Sequence, residues 1–189
     1  MKLVEPIRDR KKIEAMKHYL QKRSPRDYTL FCLGINSGLR VSDLLALKVS
    51  DVVTVQNGQP MIKPRIEIKE KKTGKVKDFP LNPRTYQLLN DYAVNMYSHR
   101  WLFSSRLGNY PIDRVQAWRI ISAAARAVGI ADRIGTHTLR KTFGYWAFKL
   151  GHDITVIQKL LNHSSPGTTL AYIGITKEDL DDVYLSLNL

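Results

Sequence analysis

The sequence predicts an α+β fold that is mainly α: a helical core carrying a small antiparallel β-sheet or hairpin. Apolar residues recur at helical spacing over most of the chain, and that period gives way to β-rich segments between Val49 and Leu81. The 189 residues, 43% of them hydrophobic, can bury one sizeable core.

The elements follow in order. Asp9 to Arg23 reads as a basic amphipathic helix with Ile13, Met16, Tyr19 and Leu20 on its apolar side. Ser24-Pro25 breaks it, and Arg26 to Asn36 makes a second, more buried helix that Ser37-Gly38 ends as a glycine C-terminus does. In G-L-R-V-S-D-L-L-A-L-K, Ser42 or Asp43 can cap a short helix, and Arg40 sits in the turn before it. V-V-T-V precedes Asn57-Gly58, a strong hairpin signal; I-E-I-K and V-K-D-F-P-L then flank a basic turn with Lys71, Lys72 and Lys75. About three antiparallel strands are expected here. A charged turn of this kind can guard a sheet edge against aggregation or enter a DNA groove.

Asn82-Pro83 opens the next helix with a cap and a first-turn proline, W-L-F-S-S is a short extended piece, and Asp113 to Val128 is another helix. From about His137 to Leu150 a helix places Leu139, Phe143, Trp146, Ala147 and Leu150 on one stripe. His137 and Arg140, three apart, share a face beside that stripe. A further helix, buried through Ile154, Ile157, Leu160 and Leu161, delivers His163 at its C-terminal end, where positive charge is favoured. S-S-P-G breaks it, and T-T-L-A-Y starts a short helix bearing Tyr172. Last, Thr176 and Asp179 make a capping-box-like start to a helix at about 176–187, with Leu180, Val183, Tyr184 and Leu187 as its apolar stripe. That helix is acidic on its other side, which suits its own core or a neighbouring subunit better than DNA.

A formal charge of +13 points to a polyanionic partner, nucleic acid before a membrane surface. The single cysteine, Cys32, permits no disulfide framework and reads as a small buried hydrophobe in a reducing compartment. With no apolar run of signal-peptide or membrane-span length, the expected location is the cytoplasm.

H-x-L-R followed by L-L-x-H-S-S-x-x-T-T-x-x-Y resembles the C-terminal signature of the tyrosine recombinase (phage integrase) family, and G-L-R-x-S-[DE]-L resembles its first arginine motif. The likeness runs from about Thr29 to Ile173, with Asn162 standing where the family commonly has glycine. It implies Arg40 and Arg140 as phosphate-binding arginines, His137 in acid/base work, His163 in phosphate stabilisation and Tyr172 as nucleophile. Asp43 matches the companion acid that orients the site. The spacing of K-T-G-K-V-K-D-F-P-L resembles the family's hairpin segment and makes Lys72 the catalytic lysine, with Lys69, Lys71 and Lys75 as DNA contacts beside it.

The resemblance implies site-specific recombination of double-stranded DNA by a homodimer or homotetramer, through a 3′-phosphotyrosine and with no metal or other cofactor. Two alternatives stand beside it: strand relaxation of the type IB topoisomerase kind, and a DNA-binding accessory protein that no longer cleaves. Only 39 residues precede Arg40, too few for the family's N-terminal core-binding domain. The expectation is one catalytic domain over 1–189, as in the fimbrial inversion recombinases it resembles in size, or a catalytic fragment.

Overall fold

The computed structural model describes residues 4–107 and 109–187. Asp9 accepts from the Lys11 amide at 2.7 Å and starts α1 (Arg10–Gln21), whose Ile13, Met16 and Leu20 turn inward. Ser24 and Pro25 start α2 (Pro25–Ser37), a helix buried along much of its length. It ends at Gly38 in the left-handed region, φ +59°. A Cβ there would fall 2.5 Å from the Phe143 ring, so both conformation and space demand glycine.

Then come α3 (Val41–Leu45) and α4 (Val49–Val52). Neither Ser42 nor Asp43 caps α3; Arg40 holds the N-cap position without a side-chain cap bond. Asp43 is instead buried and accepts from the Lys71 amide at 2.9 Å, so a predicted cap is really a tether to a distant turn.

The β region forms two separate ribbons rather than one three-stranded sheet. In the first, β1 (Val53–Gln56) pairs with β2 (Gln59–Ile62) through Asn57 and Gly58, both at positive φ as a tight hairpin requires. In the second, β3 (Arg65–Lys69) pairs with β4 (Val76–Pro80), Arg65 opposite Pro80 and Lys69 opposite Val76. Pro60, Pro64 and Pro80 cannot donate to a ladder, which confines each ribbon to its own pair.

Asn82 caps α5 (Pro83–Ala93), which runs into a 3₁₀ turn. Among the described residues the W-L-F-S-S segment pairs through isolated bridges, Lys48 with Trp101 and Ser104 with Pro111. Asp113 then caps α6 (Arg114–Ala127).

The chain continues with α7 (Thr136–Lys149), α8 (Ile154–Leu160), α9 (Pro166–Ile173) and α10 (Lys177–Ser186). Elements α1 to α7 and both ribbons share one core built on Met16, Phe31, Leu44, Ile66, Leu89 and Phe103. A second cluster, Tyr145, Ile157, Leu161 and Ile173, binds α7, α8 and α9 together. This is the architecture the sequence predicts, mainly helical with small antiparallel strands.

Leu150 and Leu160, placed in apolar stripes by their spacing, are exposed. Leu150 falls at the C-cap of α7, beyond reach of the core, while α7 itself is covered on several sides and buries Thr138, Arg140, Lys141 and Thr142 as well. The reciprocal bonds of Thr176 and Asp179 do form, and Tyr184 and Leu187 are exposed; the Leu180 and Val183 side chains lie outside the described residues. Among the described residues no helix is long and apolar enough to cross a membrane.

An unforeseen contact ties the N-terminal segment to the last helices. The Ile7 amide donates to Thr142 Oγ1 at 2.9 Å, Trp146 Nε1 donates to the Ile7 carbonyl at 2.9 Å, and Arg8 donates to the Gly174 carbonyl that ends α9 at 2.7 Å.

Gly144 is where α7 meets α8 and α9. A Cβ there would lie 2.7 Å from Ile173 Cγ2 and 3.1 Å from Leu161 Cδ1. Gly144→Ala is therefore expected to destabilise the fold by about 1–3 kcal/mol through overpacking. Urea denaturation checks this; an unchanged midpoint would mean the three helices are not in close contact.

Candidate active site

Arg140 projects from the first turns of α7 and is 3% exposed. Its Nη1 donates to the Gly38 carbonyl and its Nη2 to the Leu161 carbonyl at 2.5 Å. Both acceptors lie just past a helix C-terminus, α2 and α8, where unsatisfied carbonyls carry the negative pole of the macrodipole. Lys77 of β4 repeats the pattern one residue earlier on each helix, donating from Nζ to the Ser37 carbonyl at 3.1 Å and the Leu160 carbonyl at 3.4 Å. Two cations thus bridge the same two helix ends. Burial and then the Arg140 charge push Lys77 down to about 8. The Arg140 pKa is also pushed down, first by burial and then by Arg40, from a value so high that it stays charged.

Arg40 reaches the same place from the start of α3. Its Nη1 forms an ion pair with Glu70 Oε2 at 2.8 Å. Glu70 is buried at the end of β3, and the same oxygen accepts from Thr73 Oγ1 at 2.7 Å and Asn162 Nδ2 at 2.9 Å. Burial pushes the carboxyl up, but Thr73, Arg40 and Arg140 together hold it below the usual glutamate value.

His163 follows α8 in a turn formed at Asn162, whose φ of +49° lies in the left-handed region that favours glycine and that asparagine tolerates. Its Nδ1 is 3.2 Å from Thr169 Oγ1 on α9. Ser165 caps α9 by accepting from the Thr168 amide, and the helix presents half-buried Tyr172, whose ring meets the His163 ring edge-on with centroids 4.7 Å apart. Buried Lys141 lies with Nζ 5.3 Å from the Tyr172 ring centre.

The charges act on the titrating groups in a common sense. Burial raises the Tyr172 pKa, opposed by Arg140 and Arg40. Burial, then Arg140 and Arg40, lower that of His163. His137, at the first turn of α7, is lowered by partial burial and then by Arg114, Arg140, Lys141 and Arg40. The site therefore holds two imidazoles biased to the neutral form and a phenol beside two fixed guanidinium charges.

Five of the six predicted reacting side chains, Arg40, His137, Arg140, His163 and Tyr172, are brought within one electrostatic cluster. Lys72 stands on the exposed turn between β3 and β4, with Lys69, Lys71 and Lys75 exposed around it. The turn is close to the cluster because Thr73 binds Glu70 and the Lys71 amide binds Asp43. Arg114 and Arg119 are exposed on α6. Sequence reading missed Glu70, Lys77, Lys141 and Asn162 as parts of the site. The local signals were faint: a glutamate in a charged turn, a lysine on an alternating strand, and an asparagine in place of a glycine.

The chain matches the phage integrase family over residues 8–179. It is 43% identical over 184 residues to the probable integrase/recombinase YoeC of Bacillus subtilis, covering 97% of both chains. It is 30% identical over 166 residues to the tyrosine recombinase XerD of Corynebacterium glutamicum, covering 84% of this chain but 51% of that one. Among solved structures, the XerA recombinase superposes with a TM-score of 0.78 at 22% identity, covering 100% of this chain and 68% of that chain. The catalytic domain of bacteriophage HP1 integrase superposes with a TM-score of 0.62 at 18% identity, covering 97% and 95%. These two structures attest the shared fold.

The Lys77 position makes a pH prediction. Between its lowered value of about 8 and the ordinary 10.5, the unfolded chain keeps a proton that the native state has lost. Native stability attributable to this residue therefore rises with pH through that window. The melting temperature of the wild type minus that of Lys77→Met is expected to increase from about pH 7.5 to about pH 10. A difference independent of pH would contradict the buried placement.

Proposed function

The chain belongs to the phage integrase family, and on that premise we propose that it is a site-specific tyrosine recombinase, breaking and rejoining double-stranded DNA through a 3′-phosphotyrosine intermediate. The observation that carries the reading is the placement of Tyr172 against His163 and within the field of the Arg140–Arg40 pair.

In the proposed reaction the Tyr172 phenol oxygen attacks a backbone phosphorus. Its proton passes to a neutral imidazole, for which His137 is the assigned base and His163 the assigned phosphate donor. A guanidinium has five N–H donors, and the carbonyl clamp engages two N–H groups of Arg140, so further donors remain for the phosphate. With Arg40 they counter the charge that builds on the non-bridging oxygens. The bond from phosphorus to the 5′ oxygen breaks, and Lys72 supplies that oxygen's proton. Attack by a second 5′ hydroxyl on the phosphotyrosine reverses these steps and frees Tyr172. The bond energy is kept in the phosphotyrosine, so the scheme calls on no metal or nucleotide.

The net charge of +13 and the exposed Lys69, Lys71 and Lys75 suit the DNA backbone. Exchange between two sites requires more than one active centre, and we assign the working form to a dimer or tetramer on DNA. The solved XerH complex, to which this chain is similar with a TM-score of 0.73 at 20% identity, is a post-cleavage state on palindromic difH DNA.

The test is covalent trapping. Incubation with a library of labelled duplexes, nicked so that a short 5′-hydroxyl strand diffuses away after cleavage, should give protein-linked DNA on a denaturing gel. Tyr172→Phe should give none, and Lys72→Met should slow the wild-type rate by about 10²–10⁴-fold. DNA binding without an adduct would support the non-cleaving alternative. Because burial and the neighbouring cations lower both histidine pKa values, the acidic limb of the rate profile should lie below the ordinary imidazole value of 6.5. A limb at higher pH would contradict the assigned base.

A further inference from the structure

We propose that Glu70 is a positioning residue of this reaction, fixing the turn that carries Lys72 against Arg40 and against the turn that carries His163. The inference rests on the recombinase reading above and concerns a residue that takes no part in the chemistry itself.

Three segments far apart in sequence meet at one oxygen atom. Oε2 of Glu70 accepts from Thr73 Oγ1 at 2.7 Å and from Asn162 Nδ2 at 2.9 Å, and it forms an ion pair with the Arg40 guanidinium, whose Nη1 lies 2.8 Å away. Thr73 is the neighbour of Lys72, Asn162 is the neighbour of His163, and Arg40 binds phosphate in the proposed scheme. The carboxylate is therefore a common reference point for three of the assigned groups.

The backbone makes the turn follow the carboxylate. The Glu70 amide donates to the Lys75 carbonyl at 2.9 Å, and the Gly74 amide donates to the Glu70 carbonyl at 2.9 Å. A shift of Glu70 thus moves the loop between them as a unit. At its start, next to Glu70, the loop is also held by Asp43, which accepts from the Lys71 amide at 2.9 Å.

A lysine on an exposed turn has four rotatable carbons and no fixed place of its own. What limits its reach is the position of its backbone, and Glu70 sets that position relative to the other groups. Asn162 adds a requirement that glycine does not meet: its backbone adopts the left-handed turn at φ +49° while its amide reaches across to Glu70. The buried charge is costly unless paired, which explains why so many donors gather on it. Its second oxygen, Oε1, is buried with no hydrogen-bond partner.

The test uses a nicked duplex recovered by trapping with the full chain, made in two forms. One has the natural bridging oxygen at the scissile phosphate; the other has sulfur in that place. A thiolate leaves without needing a proton, so the sulfur duplex bypasses the lysine's work. Glu70→Gln, close in shape and uncharged, should slow single-turnover cleavage of the oxygen duplex by about 100-fold, the scale of a misplaced catalytic group. On the sulfur duplex the loss should shrink to less than about 10-fold.

Asn162→Gly, which keeps the turn but removes the amide, should act in the same direction. Combined with Glu70→Gln it should add little, since both remove one connection. If Glu70→Gln does not fold, Asn162→Gly alone carries the comparison of the two duplexes. Wild-type rates in the variants, or equal losses on both duplexes, would overturn the positioning role. An adduct with the wild type alongside either result leaves the recombinase reading intact, whereas no wild-type adduct on any duplex removes both.

Discussion

The bridge from Arg140 to the carbonyls of Gly38 and Leu161 is the contact on which the rest of the site depends. It joins three helices at a point where two of them end, and it turns exposed acceptors at those ends into partners of one buried cation. A guanidinium this deep requires hydrogen bonds on its face, because an unpaired charge in such a place costs several kcal/mol. The helix ends provide them without a competing carboxylate directly on Arg140. Among the described residues no acid is bonded to it, which is the condition an anion site needs.

The same logic organises the neighbouring groups. Lys77 satisfies the preceding carbonyl of each helix, Arg40 is balanced by Glu70, and Asp43 secures the turn next to Glu70. All of these contacts are internal to the chain. A site assembled in this way avoids reorganising its dipoles at the moment of reaction, the main source of electrostatic catalysis. Packing and chemistry meet on α9, where Ile173 enters the small cluster beneath α7 while its neighbour Tyr172 faces His163. The helix is short, so its cap at Ser165 and the Arg8 contact at Gly174 fix both of its ends.

Much of this was legible in the sequence because it is carried by local pattern. Helical spacing, Ser24-Pro25, Gly38, Asn57-Gly58 and Asn82-Pro83 each prescribe a conformation from neighbouring residues alone, and each element appeared within a few residues of its expected limits. Motif spacing also singled out Arg40, His137, Arg140, His163 and Tyr172, which the fold brings within one electrostatic cluster. What stayed hidden depends on contacts between distant segments. Glu70 and Asn162 are 92 residues apart, and nothing in either neighbourhood announces the other. Asp43 looked like a helix cap because cap preference is local, whereas its partner is 28 residues away. Leu150 and Leu160 satisfied the helical period but lie where their helices emerge from the core, a boundary that periodicity does not reveal. The β region divided into two ribbons because prolines interrupt the ladders, a constraint visible in the residues but overridden by reading strands one at a time.

The most direct measurement of the central claim is to locate the phosphate in a trapped adduct. After nuclease and protease digestion, tandem mass spectrometry should find a single nucleotide remnant on the peptide containing Tyr172, joined through the phenol oxygen to the 3′ side of the cut. A remnant on any other residue, or one joined to the 5′ side, would contradict the account of a buried arginine clamp that holds Tyr172 as the attacking group.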